Sequence, residues 1–495
     1  MSLFTKKSID SLLREQADPK NGLKRLLSPR DLTTMGVGAI IGAGLFVLTG
    51  QAAAHYAGPA VILSFAIAAT ICIFSALCYA ELASLIPGAG SAYVYSYVVL
   101  GEFAAWTIGW CLTFEYLLSS STVASGWSAY FVSLLKDLGL QIPSFLSQPP
   151  VGYHIETGWN QTGSFCNLPA MIITALIGIF TSIGVRTAAF LNNLLVIIKL
   201  AVILIFILCG IAYVNVDNWA PFIPENSATF GQFGWSGVLR GAGIVFFAFI
   251  GFDALSTLAQ EARNPQKDMP KGMLGSLGIS TLVYAIVALI LTGVVHYTKL
   301  GVPDPMAVAF DALGPSFAWL RPIVKIAILA GLTSVILVML MGQARIFYAM
   351  SQDGLLPAVF GKTHARFHTP FFTTIAVSII AVLMTGFFPV EILGQLVSMG
   401  TLLGFAAVCL SVLILHYTKP ELERPFKTPF SPWVPLLGVL SCLAQMTLLP
   451  WMIWLQLLAW IGIGSLFYVF YSRHHSKARE EKKSFELKTQ VNRLS

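Results

Sequence analysis

Gly36-Val37-Gly38-Ala39-Ile40-Ile41-Gly42-Ala43-Gly44 runs through the middle of the first long apolar stretch of the chain. Glycine weakens a helix interior by about 1 kcal/mol relative to alanine, so four of them in nine positions mark a break. A second such place, Gly241-Ala242-Gly243 followed by Phe246-Phe247-Ala248-Phe249-Ile250-Gly251-Phe252-Asp253, lies five apolar stretches further on. Helices five crossings apart traverse a membrane in opposite directions. Two glycine-interrupted helices at matching positions of inverted halves point to a solute site at the midplane. Close helix packing, as in the small-xxx-small face from Gly38 to Gly42, is the competing explanation for either stretch alone.

The medium follows from composition. The 495 residues are 56% hydrophobic and only 11% charged, with mean hydropathy +0.76. A soluble domain carries about 25% charged residues, so this chain lacks the polar surface that water demands. Its apolar runs reach the ~20 residues needed to cross a bilayer, and a backbone in lipid must satisfy its own amides as helix. The reading is an all-α integral membrane protein with twelve spans near 31–57, 60–85, 101–136, 168–184, 187–214, 236–260, 271–297, 321–351, 370–388, 390–418, 433–449 and 451–472. Residues 31–214 and 236–418 form two inverted repeats of five spans, and 433–472 adds two more. Residues 1–30 form a polar N-terminal segment with no signal-peptide pattern, in which Ser8 to Leu27 suits a short surface helix. Residues 473–495 form a charged, mobile tail.

The net charge of +7 raises nucleic acid as a partner, but its distribution is that of a topology signal. With both termini inside, the outer loops hold only Lys136, Lys299, Arg321 and Lys325 among the basic residues. The termini are therefore expected in the cytoplasm of a plasma-membrane protein. The seven cysteines show no metal spacing, and only Cys166 falls in an exterior loop. The eight histidines sit in loops or near span ends, which argues against an intramembrane hydrolase.

A broken helix exposes amides on one half and carbonyls on the other. Amides at the positive dipole end bind a carboxylate, and carbonyls bind an ammonium. Two such breaks side by side receive a zwitterion without any charged side chain. An α-amino acid carries the right pair of groups.

At these residues the chain resembles the cationic amino acid transporter branch of the amino acid–polyamine–organocation superfamily, in a bacterial form with LeuT-like architecture. The likeness rests on residues 36–46, Tyr79-Ala80-Glu81-Leu82, Gly109-Trp110 to Glu115-Tyr116, residues 246–253, Glu261 to Pro270 and Arg345 to Pro357. It implies that the substrate carboxylate meets the amides of Gly42, Ala43 and Gly44. The ammonium would then meet the carbonyls of Ile40, Phe247 and Ile250, with Phe247 closing over the solute as an aromatic gate.

Ionisable groups inside lipid cost at least ~2.5–3.5 kcal/mol and are functional candidates. Lys199 follows Arg186 by thirteen residues, which places it roughly 20 Å deep at 1.5 Å per residue. By the resemblance, its ammonium takes the place of the sodium ion held between spans one and eight in sodium-coupled relatives, where Thr333 and Ser334 match the hydroxyl ligands. Proton gain and loss there would reset the first span near Gly38, so the driving force is a proton gradient and no cofactor is called for. Glu115, midway along span three, contacts a cationic side chain, joins a proton path or bonds a broken backbone. Asp253 is read as a cap on the resumed sixth span, and Glu81 and Arg345 as ion-pair members near the cytoplasmic ends. Met339 would fill the distal pocket and shorten it.

The function expected is proton-coupled symport of small neutral L-amino acids such as alanine. Transport or exchange of arginine and lysine is the alternative, and a sodium-coupled symporter of the same fold the next. A channel needs no inverted pair of breaks, and a receptor or enzyme fits neither the span count nor the missing catalytic constellation.

Overall fold

The computed structural model describes residues 5–8, 25–154, 158–227, 229–302, 304–317, 319–449 and 451–480. Helix α1 (Pro29–Ile40) starts at Ser28. The Ser28 hydroxyl accepts from the Asp31 amide at 3.3 Å while the Asp31 carboxylate accepts from the Ser28 amide at 2.9 Å. That reciprocal box, with Pro29 in the first position, fixes the start. The helix stops at Ile41, whose ψ of 97° is extended. Winding resumes as α2 (residues 44–57), partly in π geometry.

The first half continues through α3 (Val61–Leu85), α4 (Ala92–Val99), α5 (Glu102–Asp137), α6 (Leu168–Ile183) and α7 (Val185–Gly210). In the second half α8 (Gly234–Phe246) loses α geometry at the 3-10 turn Phe247–Phe249. Ile250 is extended, Gly251 sits at φ 129°, and a 3-10 stretch follows over Asp253–Glu261. Then come α9 (Pro265–Val294), α10 (Pro305–Ala312), α11 (Leu320–Gln352), α12 (Phe371–Phe387) and α13 (Val390–Thr418). Helices α14 (Trp433–Thr447) and α15 (Trp451–Phe467) complete the set.

Each of the twelve expected stretches falls on helix. Among the described residues, seven helical stretches are long and apolar enough to cross a membrane, and the first, Pro29–Leu85, has 57 residues. That length serves two crossings at ~20 residues each. The outer surface is apolar where lipid would lie, with Phe190, Ile197, Leu208 and Phe470 all exposed. The protein is a multi-pass membrane protein. Helices at matching positions of the halves pack on each other, α3 on α9, α5 on α11 and α6 on α12, and α2 meets the turn after α8.

Two details depart from expectation. The loop between α5 and α6 carries a small hairpin, β1 (Val151–His154) paired antiparallel with β2 (Gly158–Gln161). The tail after residue 472 is not free along its described length. Arg479 donates to Glu102 at 2.7 Å, and the Lys477 amide donates to the Asp353 carbonyl at 3.1 Å. Lys7 reaches the same Asp353 at 2.5 Å, and the Glu102 amide donates to Thr5 at 2.9 Å. Both terminal segments thus dock on one face, tied by buried charge-assisted bonds. The tail beyond residue 480 and most of the expected Ser8–Leu27 surface helix lie outside the described residues.

Candidate transport site

The two breaks touch. A Cβ on Gly44 would lie 2.2 Å from the Cα of Ala248, and one on Gly251 would lie 2.8 Å from the Cβ of Ala39. Only glycine lets the backbones come this close. Helix α2 begins beside the contact, and Leu45 and Phe46 donate to the Gly42 carbonyl at 3.1 and 3.2 Å. The first amides of a helix have no partner within it. The amides at the head of α2 therefore face the break with the positive end of the dipole behind them.

A cavity of about 10 Å³ opens at this contact, lined by Ala39, Ile40, Gly42, Ala43, Gly44, Ser119, Val123, Phe247, Ile250, Val335 and Met339. Seven residues named from the sequence stand in its wall: Ile40, Gly42, Ala43, Gly44, Phe247, Ile250 and Met339. No charged side chain lines it, so its polarity comes from peptide groups and the Ser119 hydroxyl. Its size is about that of one water centre, so a solute enters only when the walls part.

The carbonyls are partly engaged. The Phe247 carbonyl accepts from the Ile250 amide at 3.2 Å. The Tyr284 hydroxyl, on α9, lies 2.7 Å from the Ile40 carbonyl and 2.7 Å from the Ala248 carbonyl. One hydroxyl thus bridges the broken segments of both halves. Reading the sequence missed this residue, because a tyrosine in an apolar run is ordinary until its tip is located. Tyr284→Phe leaves two buried carbonyls without that donor, at a cost of about 1–3 kcal/mol. The expected result is a lower melting temperature and weaker substrate protection in a thermal-shift titration, and unchanged values would remove the bridge from the site.

Glu115 lies elsewhere. It does not line the cavity but turns to α13, where Thr401 donates to Oε1 at 2.5 Å. Its Oε2 has no partner among the described residues and would lie 3.8 Å from a Cβ on Gly400. The reason is depth: Ser119 lies one turn further along the same side of α5, roughly 6 Å on at 1.5 Å per residue, and is level with the breaks. Asp253 accepts from Tyr116 at 2.5 Å and from the Gly251 amide at 3.0 Å. It therefore braces the break behind it, and the segment it was expected to cap is 3-10 wound.

Lys199 sits on the other side of the first break, fully buried on α7. Its Nζ donates to the carbonyls of Val37, Gly38 and Ile41 at 3.0, 2.9 and 2.8 Å, and to the Ser334 hydroxyl at 3.0 Å. The acceptors are oxygens in the arrangement that suits a bound cation. Ser334 also donates to the Gly38 carbonyl at 2.9 Å. Thr333, paired with it in the sequence reading, belongs elsewhere: it donates to the Leu329 carbonyl at 2.7 Å and accepts from Trp127 at 3.0 Å. Adjacent helical residues point about 100° apart, so only one reaches the lysine. Two turns before Lys199 on α7, the buried Asn192 amide packs on Gly38, where a Cβ would lie 2.4 Å from its Oδ1.

Towards the face that holds the termini, Arg345 pairs with Glu261 at 2.6 Å, and the Glu261 carbonyl accepts from the Leu26 and Leu27 amides at 2.9 Å each. Glu81 pairs instead with Arg424 at 3.0 Å and His416 at 2.7 Å. Towards the other face, Tyr130 donates to the Phe46 carbonyl at 2.9 Å.

Comparisons with known proteins show the family of the chain. The amino acid permease family matches residues 27–472. The methylthioribose transporter of Bacillus subtilis is 43% identical over 96% of this chain and 99% of its own length. The branched-chain amino acid permease of the same organism is 41% identical over 97% of this chain and 99% of its own. Human cationic amino acid transporter 4 is 35% identical over 82% of this chain but 62% of its own length. Its relatives are named as carriers rather than enzymes, and the chain belongs to the amino acid permease family.

Proposed function

We propose that the protein is a proton-coupled symporter of small neutral L-amino acids, working by alternating access across the plasma membrane with both termini in the cytoplasm. The observation that carries this reading is the pairing of a cavity without charged side chains with a buried lysine amine held on the same broken helix. The substrate carboxylate takes the amides of Gly42, Ala43 and Gly44, and its ammonium takes the carbonyls of Ile40, Phe247 and Ile250. Phe247 closes over it. The Lys199 ammonium holds α1 through three carbonyls. Tilting of α1 withdraws those oxygens, and a bare ammonium in a dry interior is costly enough that the proton leaves. Proton release and solute release are thereby linked, as differential binding to two states requires.

Buried carboxylates favour a second reading. Glu115, with an unpartnered oxygen, and Asp253 lie beyond the cavity wall, where a cationic side chain could pair with them, and one relative is named for cationic amino acids. Met339 stands in the wall on the α11 side. Met339→Ser removes most of that side chain and lengthens the pocket, and uptake of arginine or lysine relative to alanine is expected to rise at least about tenfold, a factor of ten being ~1.4 kcal/mol. An unchanged substrate profile in competition assays would count against this placement of the pocket.

The deciding experiment is uptake by proteoliposomes of labelled alanine, leucine, arginine and methylthioribose, each with and without an inward proton gradient and in sodium-free buffer. Alanine accumulation that needs the proton gradient and not sodium is expected. Sodium dependence would move the protein to the sodium-coupled class, and uptake of methylthioribose alone would displace the amino-acid reading.

A further inference from the structure

Among the side chains that line the cavity, Ser119 alone carries a polar group. It is 1% exposed, and its Oγ has no hydrogen-bond partner among the described residues. Serines and threonines in a helix ordinarily bond back to a carbonyl one turn earlier. Its neighbours on α5 do so: Thr113 donates to the Trp110 carbonyl and Ser120 to the Leu117 carbonyl, each at 2.8 Å. Thr122 on the same helix also lacks a partner, but it does not line the cavity. Ser119 therefore combines two features that arise independently, a place in the wall and an unspent hydroxyl. A buried polar group without a partner is destabilising, and one that faces a binding cavity finds its partner in the solute.

The direction of the solute follows from the amino-acid reading on which this inference rests. With the carboxylate on Gly42–Gly44 and the ammonium on Ile40, Phe247 and Ile250, the side chain points to the remaining wall, which is Ala39, Ser119, Val123, Val335 and Met339. Four of these are apolar. They accept a methyl group, and the single hydroxyl beside them accepts one small polar group.

We propose that Ser119 is a specificity-determining residue that hydrogen-bonds a hydroxyl on the substrate's first side-chain carbon, so that serine-like and threonine-like amino acids are carried alongside alanine. Donor and acceptor are both available on each hydroxyl, so the pair forms in either sense without a charge or a proton transfer. A site built to bond a hydroxyl discriminates far more by losing that bond than an apolar pocket does by losing a methyl group.

The test is the ratio of serine to alanine uptake in sodium-free proteoliposomes, for the native protein, Ser119→Ala and Ser119→Thr. The native ratio is expected within about threefold of one, on a scale where a factor of ten is ~1.4 kcal/mol. Ser119→Ala is expected to lower the ratio at least about tenfold, and Ser119→Thr, which keeps a hydroxyl, to lie nearer the native value. Thermal-shift titration of each purified variant with serine and alanine gives the same ratio independently of transport. An unchanged ratio in Ser119→Ala, or native protein that carries alanine and rejects serine, overturns this inference and leaves the amino-acid reading intact. Native protein that neither carries nor binds any amino acid overturns both.

Discussion

Replacing Lys199 with alanine is expected to abolish accumulation of substrate against its gradient while leaving exchange across the membrane in place. With one proton per solute, an inward gradient of one pH unit supports at most about tenfold accumulation, because one unit is ~1.36 kcal/mol. The variant should bring labelled alanine only to equal concentration inside and out. The structural reason is that Nζ makes four contacts, three of them to carbonyls of α1. Of these carbonyls, that of Val37 also accepts from the Ile41 amide and that of Gly38 from Ser334. The helix therefore keeps its break when the lysine is gone, and the cavity on the far side of that break keeps its walls. What disappears is the group that can exist with or without a charge. Lys199→Arg separates charge from titration, since a guanidinium stays protonated. It is expected to bind substrate yet fail to accumulate it. Accumulation by Lys199→Ala equal to that of the native protein would take the lysine out of the mechanism.

The parts of this molecule that could be read in advance are those written locally. Apolar runs of bilayer length and the glycine clusters at 36–44 and 241–251 need only neighbouring residues to be understood, and both breaks lie where those clusters end. Depth is also local, because a fixed rise per residue carries Lys199 from Arg186 into the interior. Azimuth is not. Ser119 and Ser120 are adjacent on α5, yet only the first lines the cavity. Thr333 and Ser334 are adjacent, and only the second meets Lys199. Such choices are settled by how a helix is rotated against its neighbours, and packing fixes that rotation after the chain has folded. Tyr284 shows the limit most plainly. Its ring packs among Phe65 and Phe249 as any core aromatic would, and only the position of its oxygen gives it a part in the site. The docked tail is a similar case, since the charges of Arg479 and Glu102 are distant in sequence and meet only in the fold.

The second large effect is expected at Gly44. A methyl group there would lie 2.2 Å from the Cα and 2.3 Å from the Cβ of Ala248, so it meets backbone that cannot rotate away. Gly42 makes a useful contrast, because its Cβ would meet the Cγ2 of Val335 at 2.6 Å, the end of a side chain on a different helix. Gly126, on α5, has nothing within 4 Å of such an atom. The three substitutions to alanine therefore form a series with one chemical change and three different obstacles. Gly126→Ala should transport normally and melt at the same or a higher temperature, since alanine favours a helix interior by up to ~1 kcal/mol. Gly42→Ala should lose some activity as Val335 shifts. Gly44→Ala forces the two breaks apart, and overpacking of this kind costs about 1–3 kcal/mol or more. Because the breaks themselves hold the solute's two charged ends, the loss falls on binding as well as on stability. Alanine uptake is expected to drop at least about a hundredfold, which corresponds to ~2.7 kcal/mol, while the protein still reaches the membrane. Uptake by Gly44→Ala within a few fold of the native rate would mean that the solute is not held between these two backbones.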